Sequence, residues 1–381
     1  MTRAYLDHAS TTPPRPEARQ ALERWWSLPA ADPGRLHEEG RIVRDALEMA
    51  RQQVSDLLSV TPRQVVFTSG GTEAINAAVF GAARRRVGAP ILLTGVEHSA
   101  VREASERAAG VEILPVDGNG RVDLAALEER LAGHGSLPAL VHCQWANHEV
   151  GTIQPVHEAV ELCRAKGVPV HVDAVAACGH VPVDLGALDA DLVSVSAHKL
   201  GGIPGSGALV VRRGSRFDPL LVGGEQERAR RAGLEALPAH LAFGAAAAAL
   251  AEDGQRLIDQ ESVRARAQIS TIIEQARTID AVEVVGPLDP SQRLPYLVCL
   301  GVGGVEAEPV LIGLDRAGVS VHSGSACSSE SIEPSPVLEA MGVDPSHSLR
   351  VSVGWPTTDD EVRAFGPALR SVVEDLRALR G

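Results

Sequence analysis

Leu192-Val193-Ser194-Val195-Ser196-Ala197-His198-Lys199-Leu200-Gly201-Gly202 is an apolar, β-rich run that ends on a lysine and breaks on two glycines. Lysines and arginines together number 36, of which just two, Lys166 and Lys199, are lysine. Lys166, in Arg164-Ala165-Lys166-Gly167, reads as the exposed last turn of a helix stopped by glycine. Lys199 has a different chemistry open to it. An arginine stays protonated in a protein, whereas a desolvated lysine can lose its proton and form a Schiff base. On these residues alone a plain surface lysine after a strand is the competing reading.

Upstream and downstream of this run the same texture recurs. Val65-Val66-Phe67, Ile91-Leu92-Leu93, Val111 to Leu114, Leu140 to Cys143, Val170-His171-Val172 and Ala208 to Val211 complete a set of β-rich runs separated by helix-like segments. With Leu192 to Val195 they predict a mainly parallel seven-stranded sheet covered on both faces, an α/β fold. Ligands of such sheets bind beyond the carboxyl ends of the strands. After Gly214 the composition turns Gly- and Arg-rich, then a long helix is expected from about Ala236 to Arg277. Tyr296 to Leu300 and Leu349 to Val353 are the clearest strands of a second, smaller α/β domain.

The chain has 381 residues, more than one hydrophobic core usually organises. Apolar residues make up 44% and charged residues 22%, the balance of a soluble globular protein. A net charge of −13 argues against direct binding to nucleic acid or to an anionic membrane. No apolar signal segment opens the sequence, and no stretch of about twenty uninterrupted apolar residues follows, so a cytoplasmic protein is expected. Five cysteines, at 143, 163, 178, 299 and 327, form no Cys-x-x-Cys pair, which speaks against a disulfide framework and a structural zinc site. No metal is expected.

Three strand-end signals then combine. Ser69-Gly70-Gly71-Thr72-Glu73 follows a strand and opens a helix, where backbone N–H groups and the Thr72 hydroxyl can hold a phosphate. Asp173 ends another strand with a carboxylate of the kind that keeps a pyridine nitrogen protonated. Lys199 follows 26 residues later. Each has a bland reading, as a helix N-cap, a strand-end cap or a surface lysine. Together they supply a phosphate cradle, a ring-nitrogen partner and a Schiff-base amine, the set required by pyridoxal 5′-phosphate.

The motifs Tyr5-Leu6-Asp7-His8-Ala9-Ser10-Thr11-Thr12-Pro13, Ser69 to Glu73, Glu97-His98-Ser99-Ala100-Val101, Asn147 to Pro155, His171 to Ala174, Ser196-Ala197-His198-Lys199, Gly224 to Arg228 and Ser323-Gly324-Ser325-Ala326-Cys327-Ser328-Ser329 stand in family order. Over nearly the whole chain the sequence resembles the NifS/IscS-like cysteine desulfurases of the class V aminotransferase family, and its cysteine motif resembles the branch with a long catalytic loop. The resemblance implies the type I fold of pyridoxal-phosphate enzymes and a large domain over residues 15–250. Residues 1–14 and 251–381 would form the small domain that carries the catalytic cysteine. It further implies that Lys199 forms the Schiff base, that Asp173 pairs with the ring nitrogen, and that His98 stacks on the ring and shuttles protons. Gly71, Thr72, Ser196 and His198 would hold the phosphate, Asn147 would contact cofactor and substrate, and Asn147 and Arg350 would hold the substrate carboxylate. Cys327 would attack the sulfur of L-cysteine and keep it as a persulfide for an acceptor protein, releasing L-alanine. A homodimer is implied as well.

Three positions depart from that pattern. Ala176 stands where the family usually has a glutamine, Leu234 where it has a threonine, and Asp32-Pro33 where it has Asn-Pro. Each lost neutral hydrogen bond costs on the order of 1 kcal/mol. Other readings of the same residues are a selenocysteine lyase or an aminotransferase on this fold, and a degenerate scaffold for a sulfur-accepting partner. The acceptor's pathway (iron–sulfur assembly, tRNA thiolation or DNA phosphorothioation) has no motif in the chain.

Overall fold

The computed structural model describes residues 3–133, 135–323 and 334–379. Its strands, in chain order, are β1 (Ala4–Tyr5), β2 (Val65–Thr68), β3 (Ile91–Thr94), β4 (Val111–Leu114), β5 (Leu140–His142), β6 (Val170–Asp173), β7 (Leu192–Ser196), β8 (Gly207–Val211), β9 (Val282–Val285), β10 (Leu297–Val302), β11 (Val319–Ser320) and β12 (Ser348–Ser352). β2 to β8 form one seven-stranded sheet in the order β2-β8-β7-β6-β5-β3-β4. The five strands from β7 to β4 pair in parallel, as their helical crossovers require. β8 is antiparallel to β7, because residues 197–206 return the chain without a crossover helix, and it is antiparallel to β2 as well.

Every residue of β2, β3, β5, β6, β7 and β8 is buried. Alternate side chains serve the two faces: Val65 and Phe67 enter the larger core and Val66 the smaller one. Helix Gly71–Ala83 covers one side, its small residues Ala74, Ala77 and Ala78 meeting Ile91, Leu93 and Leu209. The long helix spans Leu237–Arg277 and is broken at Glu252 to Gln255, where φ and ψ leave the helical region. It packs on helices Pro16–Trp25, Glu38–Leu57 and Asp359–Ala378.

β12, β10 and β9 form an antiparallel sheet, and β1 pairs in parallel with β11. Asp7 bridges to Ser352, so the first residues lie against the last strand. This carries Ala9 and Ser10 to the rim of the large sheet. Lys166 caps its helix with Gly167 at φ +63°, as the sequence led us to expect. Cys143, Cys163, Cys178 and Cys299 are free and buried. Among the described residues no helix is long and apolar enough to cross a membrane, and no cluster of His, Cys, Asp and Glu could hold a metal ion.

Candidate active site

A cavity of about 330 Å³ opens beyond the carboxyl ends of β6 and β7. Lys199 closes the short turn after β7, and its Nζ donates to the carbonyl oxygens of Ala9 at 2.5 Å and Ser10 at 2.9 Å. Asp173, the last residue of β6, is buried, and its Oδ1 accepts from the N–H of Val175 at 3.0 Å. Burial raises its pKa, opposed by the Val175 hydrogen bond and by electrostatic interaction with His148 and Lys199.

Helix Gly71–Ala83 points its N-terminus at the same space, with Gly71 and Thr72 in the wall beside Ser196 and His198. A Cβ on Gly71 would lie 2.9 Å from Cγ2 of Val175 and 3.5 Å from Cβ of Ser196, so glycine keeps this corner open. The Ser196 hydroxyl is buried with no hydrogen-bond partner among the described residues. An orphaned hydroxyl beside a helix N-terminus suits an anionic ligand group. Cradle, buried carboxylate and amine thus converge on one cavity, and they fit pyridoxal phosphate.

His98 caps helix Ser99–Ala108: its Nδ1 accepts the N–H of Ala100 at 3.1 Å. Burial, the neighbouring His148 and the cationic groups around them lower its pKa to about 3, so its ring is neutral. His198 contacts the Thr11 hydroxyl through Nδ1 at 3.1 Å, and burial lowers its pKa to about 4. Arg350, from the middle of β12, donates from Nη2 to Asp7 Oδ1 at 3.0 Å and to Ser10 Oγ at 2.6 Å, and from Nη1 to the carbonyl of His148 at 3.1 Å. Its Nε is buried and has no partner among the described residues.

Asn147 corrects the sequence reading. It does not line the cavity; its Oδ1 accepts from the N–H groups of Glu149 and Val150, both at 2.8 Å, and its Nδ2 donates to the carbonyl of Val96 at 3.1 Å. Beyond β5 the chain keeps a two-residue alternation: Gln144, Ala146 and His148 face the cavity, whereas Trp145 and Asn147 face away. That alternation was the signal that could have singled out His148. Glu97 was also passed over: it is buried, with Oε1 accepting from Thr94 Oγ1 at 2.9 Å and the Gln144 N–H at 2.8 Å, while Oε2 has no partner among the described residues. Of the three departures, Ala176 lines the cavity and Leu234 is 62% exposed. Asp32 caps its own turn through the Gly34 N–H at 2.7 Å. Cys327 lies outside the described residues.

A sheet of this topology with a lysine after one strand, a buried aspartate at the end of its neighbour and a phosphate-binding helix start defines the class of pyridoxal-phosphate-dependent α/β enzymes. The aminotransferase class-V family model matches residues 4–365, and the chain belongs to that family. It is similar to the cysteine desulfurase of Cereibacter sphaeroides, 39% identical over all of this chain and 98% of that one. Cysteine desulfurase IscS of Dictyoglomus turgidum is 37% identical over 98% of this chain and 95% of its own. Among solved structures, a NifS-like protein from Rickettsia africae superimposes with a TM-score of 0.88 at 27% identity, covering 98% of this chain and 99% of that one.

Proposed function

We propose that this protein is a pyridoxal-phosphate-dependent cysteine desulfurase, which takes the sulfur of L-cysteine onto Cys327 and releases L-alanine. The observation that carries this reading is the convergence of Lys199, Asp173, Ser196 and Arg350 on one cavity. Bound pyridoxal phosphate supplies a conjugated ring that takes up the electron pair released at the substrate's α-carbon. Asp173 would hold a proton at the ring nitrogen; burial makes it a strong acceptor for a charged partner. Gly71, Thr72, Ser196 and His198 would receive the phosphate. His98 presents a neutral ring with its proton on Nε2, since Nδ1 is taken by Ala100.

Arg350 would receive the substrate carboxylate, held ready by Asp7 and Ser10. Lys199 would anchor the cofactor and, once displaced, carry the α-proton on Nζ. Cys327, as thiolate, would attack the substrate sulfur: the S–S bond forms, the C–S bond breaks, and its electron pair goes to the β-carbon, which takes a proton. L-cysteine and the Cys327 thiol become L-alanine and the Cys327 persulfide, with no outside oxidant or reductant. The full-length relatives do not favour an aminotransferase, a selenocysteine lyase or a non-catalytic scaffold.

The reading includes a sulfur-accepting protein partner, cytoplasmic action, and the division into residues 15–250 and the remainder given above. It includes a homodimer too, supported by the exposed apolar side chains Leu36, Val222 and Leu234. Light scattering of the purified protein tests the dimer: a mass of one chain would remove it. The activity is tested by assaying alanine from L-cysteine with wild type, Lys199→Ala and Cys327→Ser. Only wild type should turn over; full turnover by Cys327→Ser would sink the sulfur-transfer step.

A further inference from the structure

The imidazoles of the cavity wall are not equivalent. His98 gives its Nδ1 lone pair to the Ala100 N–H, so its proton sits on Nε2 and the ring is a donor at neutral pH. His198 is tied to Thr11 on the lysine's own turn. His322 belongs to the strand bridge with Arg350, whose main chain it meets on both sides. His148 stands beside a carboxylate, with Nε2 3.5 Å from Oε1 of Glu149.

Glu149 is itself fixed. Its Oε2 accepts from Ser335 Oγ at 2.6 Å and its N–H is held by Asn147 Oδ1 at 2.8 Å, and it is buried. A carboxylate at this ion-pair distance stabilises the imidazolium once the ring takes up a proton. The other titratable and charged groups around His148 are Arg350, which donates to its carbonyl, His98, edge-on at 4.9 Å between ring centroids, and the buried carboxyls of Asp173 and Glu97. Lys199 lies across the cavity.

We propose that His148, paired with the carboxylate of Glu149, is a further catalytic residue: the base that accepts the ammonium proton of the incoming α-amino acid. Position supports this assignment. Arg350 joins His148 through the 3.1 Å bond to its carbonyl, so the carboxylate site and this ring share one wall. In an α-amino acid the carboxylate and the nitrogen are borne by the same carbon, which brings the ammonium to that wall. In the step, one N–H bond of the ammonium breaks, its electron pair stays on nitrogen, and the proton binds the His148 imidazole. The amine so formed is the nucleophile; nothing is oxidised or reduced. The inference rests on the reading of the cavity as a pyridoxal-phosphate site for L-cysteine.

The test uses the holoenzyme and L-alanine, which has the ammonium and carboxylate but no thiol, so Cys327 and desulfuration do not enter. The second-order rate of the cofactor's absorbance change on mixing is measured against pH for wild type, His148→Asn and Glu149→Gln. Wild type should slow as pH falls through the imidazole pKa. His148→Asn should lose that limb and be at least about a hundredfold slower at alkaline pH, the scale of a missing general base. Glu149→Gln should move the limb to lower pH, because the imidazolium loses its counter-charge, and the His148 NMR titration in cofactor-free protein should move with it. Unchanged rates and limb in His148→Asn would overturn the proposal while leaving the cysteine site intact. Should that variant fail to fold, an unmoved limb in Glu149→Gln overturns it equally. A wild-type holoenzyme that gives no absorbance change with either L-alanine or L-cysteine would instead overturn the reading of the cavity itself.

Discussion

Glu97→Gln should reverse a pH-dependent loss of stability that the wild-type chain carries. Glu97 is 1% exposed; burial, and then the negative charge of Asp173, raise its pKa from 4.5 to about 8. In the unfolded chain the carboxyl ionises near 4.5, whereas in the fold it keeps its proton until about pH 8. The folded pKa lies above the unfolded one, so the stability this group contributes is fully present below about pH 4.5. It is lost progressively as pH rises to about 8. At about 1.4 kcal/mol per pH unit, the interval amounts to roughly 5 kcal/mol, a large share of a domain's net stability. Glutamine cannot ionise, and its amide carbonyl can keep the hydrogen bonds from Thr94 and Gln144. Urea unfolding of both proteins in cofactor-free form, between about pH 5 and about pH 8, should show wild type losing about 1.4 kcal/mol per pH unit relative to the variant. A difference that stays constant across that range would refute the reasoning.

Arg51→Ala should cost about 3 to 5 kcal/mol in denaturant unfolding, since it strands the buried Glu227 carboxylate. That carboxylate now takes two bonds from Arg51, at 2.5 and 2.7 Å, and the Phe67 N–H at 2.9 Å. Arg51→Met combined with Glu227→Gln should lose less than Arg51→Ala alone. Gly71→Ala should weaken pyridoxal phosphate binding about tenfold or more in an equilibrium titration, because the new Cβ would crowd Val175 and Ser196; a normal far-ultraviolet circular dichroism spectrum would place the loss in the site. Asp7→Ala should raise KM for L-cysteine about tenfold with less effect on kcat, as the charge-assisted bond that sets Arg350 is lost. A fall in KM would show that Asp7 competes with substrate instead.

What the sequence determined is what short-range periodicity encodes. Runs such as Val65 to Phe67 and Leu192 to Val195 are apolar on both faces, which only a buried strand tolerates, and the glycine after Lys166 stops a helix by its own backbone freedom. Lys199, Asp173 and the Gly71-Thr72 helix start were legible because each sits at a strand end or helix end, where local chemistry marks the ligand side of an α/β sheet. Contacts between distant residues were decided by tertiary structure alone. Arg350 meets Asp7 across 343 residues, and Lys199 meets Ala9 across 190. The same holds for the phase in which a short segment leaves its strand, which turned Asn147 into the fold and His148 toward the cavity. The protonation of Glu97 belongs with these, because a carboxyl's charge is set by how completely the surrounding elements shut out water, and no stretch of its own neighbours states that.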